Sequence, residues 1–180
     1  MPASLADGRV PFVRFAVSTA VLAVLLLLVS TMDAAAAKRT ARVSASFDSV
    51  ESEVIRRLND IRQQNGLSAL RRDEDLGDAA DSHSRGMVTS GQFSHDSADG
   101  TRCDVRIRRF KRARIVGETI SWLAGTPASE QAAKTVELWM NSPPHRQTLL
   151  TSSFRRIGVS RKGGTMFGRR GVAVTLDLAG

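Results

Sequence analysis

One cysteine and no tyrosine occur in 180 residues. Cys103 has no partner in the chain, so no intrachain disulfide is possible and packing must hold the domain together. The residues around it, TRCDVR, carry no pattern that would activate a thiol, and the side chain reads as small and inert rather than as a nucleophile. Internal repeats are absent. A recognisable nucleic-acid motif is missing too, so nucleic acid is not the expected partner despite the basic charge.

What is present begins with Arg9 and Arg14 ahead of the uncharged run FAVSTAVLAVLLLLVS, followed by TMDAAAAKRT. Basic residues, an apolar core and small residues at the end make the pattern of a secretory signal, with cleavage expected after Ala36 or Ala37. The run is long enough that a retained N-terminal anchor is the alternative. The expected organisation is a signal or anchor over 1–37, a polar linker over 38–48 and a domain over 49–180. Either way the domain leaves the cytoplasm, as a secreted, periplasmic or envelope protein, or one held by its N-terminal segment.

The formal charge is +8. Arg9 and Arg14 balance Asp7 and Asp33, so the surplus belongs to the part after residue 37, with a cluster at RIRRFKRAR. Such a face suits anionic surfaces, whether lipid headgroups or acidic envelope polymers, and also serves solubility.

Val50, Val54, Leu58 and Ile61 fall at helical spacing, with Gly66 where a helix C-cap belongs. A second helix is predicted from near Asp73, with Leu76, Ala79, Ala80, His83 and Met87 on one face and a stop at Ser90–Gly91. GQFSHDSADG is loop by composition. TRCDVRIRRF reads as a short helix and RIVGETISWLAG as a short strand or irregular extended stretch. TPASEQAAKTVELWMNS is the best-marked helix. Thr-Pro suits a cap followed by proline in the first turn, and Ala132, Ala133, Val136, Trp139 and Met140 share a face. Pro143 and Pro144 should stop that helix and hold His145 on a stiff corner. FRRIGVSRKGG and GRRGVAVTLDLAG read as two strands joined by a glycine-rich connection. Helices first and strands last predict an α+β domain, with helices packed on a small antiparallel sheet.

Several of these segments resemble one family. LNDIRQQNGLSALRRDEDLGDAADSHSRGM is similar to the opening two helices of the CAP superfamily (cysteine-rich secretory proteins, antigen 5 and pathogenesis-related proteins). FSHDSADG, GETISW, VELWMNSPPHRQTLL and FRRIGVS follow in the family's order, as in its bacterial, disulfide-free branch. The resemblance spans roughly residues 50–178 and implies an α-β-α sandwich and a largely secreted protein.

It also implies a cleft lined by histidines and acidic residues, with His95, Glu118 and His145 at the matching positions. In some members such a cleft holds a divalent metal, zinc being the ion that two imidazoles and a carboxylate suit best. Ser142 stands three residues after Trp139, where many members carry a further glutamate, and it is counted here with the cleft. Glu137 precedes Trp139 and reads as a boundary residue. Thr119 and Pro144 replace the usual asparagine and glycine, and His83 reads as a packed side chain. Ser94–His95 and Ser142–His145 invite a serine-hydrolase reading, but neither serine sits in a nucleophile elbow. The expected function is therefore binding of a lipid-like or sterol-like, glycan or protein ligand in the cleft. The alternative is a metal-dependent, protease-like hydrolase with Glu118 as base and a histidine as acid.

Overall fold

The computed structural model describes residues 50–180, so the readings for 1–37 and 38–48 lie outside the described residues. Helix α1 (residues 50–64) buries Val54 and Leu58, with Val50 and Ile61 half-buried beside them, as the spacing requires. Gly66 closes it with a φ of 71°, the left-handed geometry a glycine adopts without a Cβ penalty. The helix also buries Arg62, whose guanidinium donates to the carbonyl oxygens of Leu149 at 2.6 Å and of Thr151 and Ser68 at 3.1 Å. Those bonds make a buried charge tolerable and pin the turn after residue 149 to α1.

Strand β1 (Arg71–Arg72) and helix α2 (Glu74–Ser90) follow. Asp73 caps α2 through a bond from the Leu76 amide at 3.3 Å, and Gly91, at φ 70°, ends it. Helix α3 (Cys103–Phe110) leads into β2 (Val116–Ala124), a regular nine-residue strand where an irregular stretch was also open. Helix α4 (Ala128–Asn141) is capped at Pro127 without a side-chain bond, one residue later than the Thr-Pro cap predicted. It buries Gln131 and Thr135 with Ala132, Val136 and Trp139, while Ala133 is exposed.

The proline pair does not form a simple corner. Ser142 is extended, and Pro143 opens a new helix, α5 (Pro143–Leu149). A first-turn proline gives up only an amide that would lack a helical partner anyway, so two prolines stop one helix and start the next. Strands β3 (Arg156–Met166) and β4 (Arg169–Ala179) complete the chain. Their turn is Phe167–Gly168, since β3 runs on through Gly163 and Gly164. Both turn residues have positive φ, 53° and 69°. That suits a two-residue hairpin turn, though asparagine or glycine ordinarily occupies the first position.

The sheet order is β1-β3-β4-β2. β4 is paired antiparallel on both sides, but β1 joins β3 in parallel, so the sheet is mixed rather than purely antiparallel. Two residues of β1 carry too little pattern to announce a strand. Alternation along β4 sends Val174, Leu176 and Leu178 into the main core against α1, α4 and α5. Ala173, Thr175, Asp177 and Ala179 face the other side, where Met87 and Val88 of α2 pack on Ile120 and Trp122, and Ile107 of α3 packs with Leu76 on Val116 and Ala179. The result is the α-β-α sandwich. All described residues belong to one compact unit, Ser44–Gly180, which contains this whole core.

Candidate functional site

Glu118 projects from β2 toward the α2–α3 layer, and its side chain is almost wholly buried. Trp139 of α4 holds the strand from the opposite layer by donating its indole N–H to the Ile120 carbonyl at 3.0 Å. A carboxylate so placed needs partners, and it has them. His95 Nδ1 lies 2.8 Å from Oε1. Arg106 of α3, itself buried, donates through Nη2 to Oε2. His83 of α2 is a third neighbour, with Nε2 3.8 Å from Oε2 and 2.9 Å from the carbonyl oxygen of Ser94.

The same residues fix the loop that carries His95. Arg106 Nη1 donates to the His95 carbonyl at 3.0 Å and to Ser97 Oγ at 3.2 Å. Ser94 Oγ accepts from the Asp96 amide at 3.1 Å. The imidazole of His95 therefore has a fixed base, yet 47 % of its side chain remains exposed. With Glu118 as the acceptor, Nδ1 is the donating nitrogen, and Nε2 is the one left for other partners. His145, in the first turn of α5, stands edge-on to it with ring centroids 6.1 Å apart. Burial, then the neighbouring His95, pushes the pKa of His145 below its usual value. For His83 burial is again the leading cause of a lowered pKa, with Glu118 opposing it.

Two members of this cluster have no sequence motif to announce them. Arg106 sits inside the basic run and looks like one surface charge among many. Asp177 sits opposite Glu118 in the β2–β4 register and is fully buried. Burial above all, then the charge of Glu118, drives its pKa well up, while Arg106 pulls the other way. No described group donates to either buried oxygen of Asp177, so nothing but Arg106 offsets the cost of burying its charged form. Its one sequence signal is a lone acid in the otherwise uncharged stretch GVAVTLDLAG.

The structure thus brings His95 and Glu118 into contact and sets His145 beside His95. Ser142 does not join them through any side-chain bond to α5, and its amide donates to Trp139 O at 3.2 Å as the last link of α4. Glu137 is exposed and paired with Lys134. Cys103 is half-buried, and burial and Glu118 raise its thiol pKa, as an inert role requires. A three-ligand metal centre does not fit this geometry. Arg106 and His95 already occupy the two oxygens of Glu118, and among the described residues no three His, Cys, Asp or Glu side chains converge as a metal would need. A cavity of about 550 Å³ lies behind the loop, walled by His83, Met87, Asp96, Arg106 and Phe110.

Comparison with known proteins agrees with this fold. The uncharacterized protein YkwD of Bacillus subtilis (strain 168) is 32% identical over 121 residues, covering 67% of this chain and 45% of that protein. The uncharacterized membrane protein YlbC of the same organism is 32% identical over 114 residues, 61% of this chain and 30% of that one. The chain therefore spans less than half the length of the curated relatives it matches. An extracellular protein containing a SCP domain from Bacillus anthracis str. Ames superposes with a TM-score of 0.60 at 27% identity, over 74% of this chain and 41% of that one. An outer surface protein from Borrelia burgdorferi, at 18% identity, shares the fold with a TM-score of 0.58 over 73% of this chain and 92% of its own. Residues 55–175 match the model of the cysteine-rich secretory protein family, CAP, and with bacterial relatives on both comparisons this nearly cysteine-free chain belongs to that family.

Proposed function

We propose that this protein works outside the cytoplasm, at the envelope or beyond it, by binding a lipid-like, glycan or protein ligand between His95 and His145. The carrying observation is the His95 ring, half exposed yet anchored through Nδ1 to buried Glu118. Its Nε2 is preoriented toward a ligand, and His145, whose pKa burial pushes down, offers a second imidazole beside it. Glu118 and Arg106 act through His95 and its loop, as positioning groups rather than ligand contacts. The basic surplus and the N-terminal apolar run support export toward an anionic envelope. The relative from Bacillus anthracis is itself described as extracellular. Among the described residues no helix is long and apolar enough to cross a membrane.

A metal-dependent hydrolase is the competing reading, and it asks Glu118 for an oxygen that Arg106 and His95 already use. Two measurements on residues 38–180 separate them. Calorimetric zinc titration should give no tight one-to-one binding in wild type or His145→Ala. Histidine ring NMR with palmitate and with a muropeptide should then show one probe shifting the His95 and His145 signals, and His95→Ala/His145→Ala should abolish its binding. Tight zinc binding lost in His145→Ala would restore the hydrolase. Probe binding untouched by the double substitution would move the ligand to another surface.

A further inference from the structure

The β3–β4 hairpin ends in a residue that the backbone disfavours. Phe167 occupies the first turn position at φ 53°, where a bulky side chain is uncommon and asparagine or glycine is relaxed. Burial does not compensate, because Phe167 is 68 % exposed, the most exposed large apolar residue among those described. Its aromatic contact is Phe93, itself 38 % exposed, edge-on at 6.4 Å. A disfavoured conformation kept for an exposed aromatic points to a task outside the fold.

Charge indicates what the task is. Arg169 and Arg170 follow the turn directly, both exposed, and neither has a carboxylate partner among the described residues. Successive strand residues point to opposite faces, so one arginine flanks each side of the hairpin. The order outward is therefore two cations and then an aromatic apex. That order matches the layers of an anionic bilayer, phosphates outside and hydrocarbon beneath. An acidic polymer in water would satisfy the arginines but offer no apolar layer for the apex.

We infer that this hairpin tip is a membrane-contact element, placing Phe167, backed by Phe93, below the headgroups of an anionic phospholipid surface while Arg169 and Arg170 engage the phosphates. Phe93 lies two residues before His95 on the same loop, so docking the tip brings the His95–His145 cleft to the lipid surface. This inference stands apart from the identity of the cleft ligand.

The test uses residues 44–180, the compact unit, so that the N-terminal apolar run cannot itself bind lipid. Co-sedimentation is measured with vesicles of phosphatidylcholine alone and with 30–40 % phosphatidylglycerol (roughly the anionic content needed for a clear surface charge). Wild type should bind only the anionic vesicles, and binding should weaken steeply with added salt. Phe167→Asn relaxes the turn, so its melting temperature should hold or rise while its partition coefficient falls about tenfold, the size expected for losing one inserted aromatic. Arg169→Gln/Arg170→Gln should lose binding to a similar degree. Phe167→Trp should be quenched by lipids brominated in the acyl chain. Absence of wild-type binding, equal binding to neutral vesicles, or undiminished binding by a folded Phe167→Asn overturns the inference. So does competition by soluble poly(glycerol phosphate) that is insensitive to Phe167→Asn, since the surface would then serve a polymer.

Discussion

At the scale of single residues, the site is a buried carboxylate surrounded by groups that each neutralise part of its cost. Arg106→Ala would leave Glu118 charged and buried without its cation, a loss expected to be about 3–5 kcal/mol and measurable by urea unfolding. Arg106→Lys should recover only part of it, since one ammonium cannot reach Glu118, the His95 carbonyl and Ser97 together. Asp177→Asn should behave in the opposite way. Because the folded pKa of Asp177 lies above the unfolded one, the stability its protonated form contributes is whole below about pH 4 and declines as pH rises. The amide keeps the neutral shape, so the variant should be more stable than wild type at pH 7, read as a higher melting temperature in pH series. His95, Glu118 and His145 were legible because each lies in a short motif. Arg106 and Asp177 were not, since the run of basic residues hides which one turns inward, and strand register alone sets an acid opposite Glu118.

At the scale of elements, close approach is decided by glycine. A Cβ on Gly158 would overlap the backbone of Leu76 and Gly77, so Gly158→Ala must push α2 away from β3. At Gly164 the clash is with the Val88 side chain, which can rotate. Gly158→Ala should therefore cost more than Gly164→Ala, with about 3 kcal/mol as its scale, as differential denaturation would report. Because α2 carries His83, the same substitution should also loosen the His95 loop. The long helices and the closing hairpin could be read from periodicity and glycine stops. β1 could not, as two exposed arginines form a strand only when β3 offers them an edge. Nor could the restart at Pro143, where the same residue can end a helix or open one.

For the whole molecule, acid is the condition to examine. His83 and His145 both have folded pKa values below the usual imidazole range, so the stability of their neutral forms is complete above about pH 6.5 and is lost as pH falls through the folded values. The domain should unfold more easily as pH falls below about 6.5, and His83→Asn should flatten that slope while lowering stability at pH 7. Asp177 pulls against this trend, gaining stability as pH falls, so Asp177→Asn alone should steepen the loss in acid.

The central position of β4 has a consequence for the order in which the domain is made. Of the four strands β4 is synthesised last, yet both β3 and β2 depend on it for their antiparallel partners. Until residues 169–179 emerge, β2 has no neighbour, Glu118 has no Asp177 opposite it, and the main core lacks Val174, Leu176 and Leu178. The domain therefore stays open through most of its synthesis, and its sheet and the pairing of Asp177 with Glu118 are completed together, by the strand that arrives last.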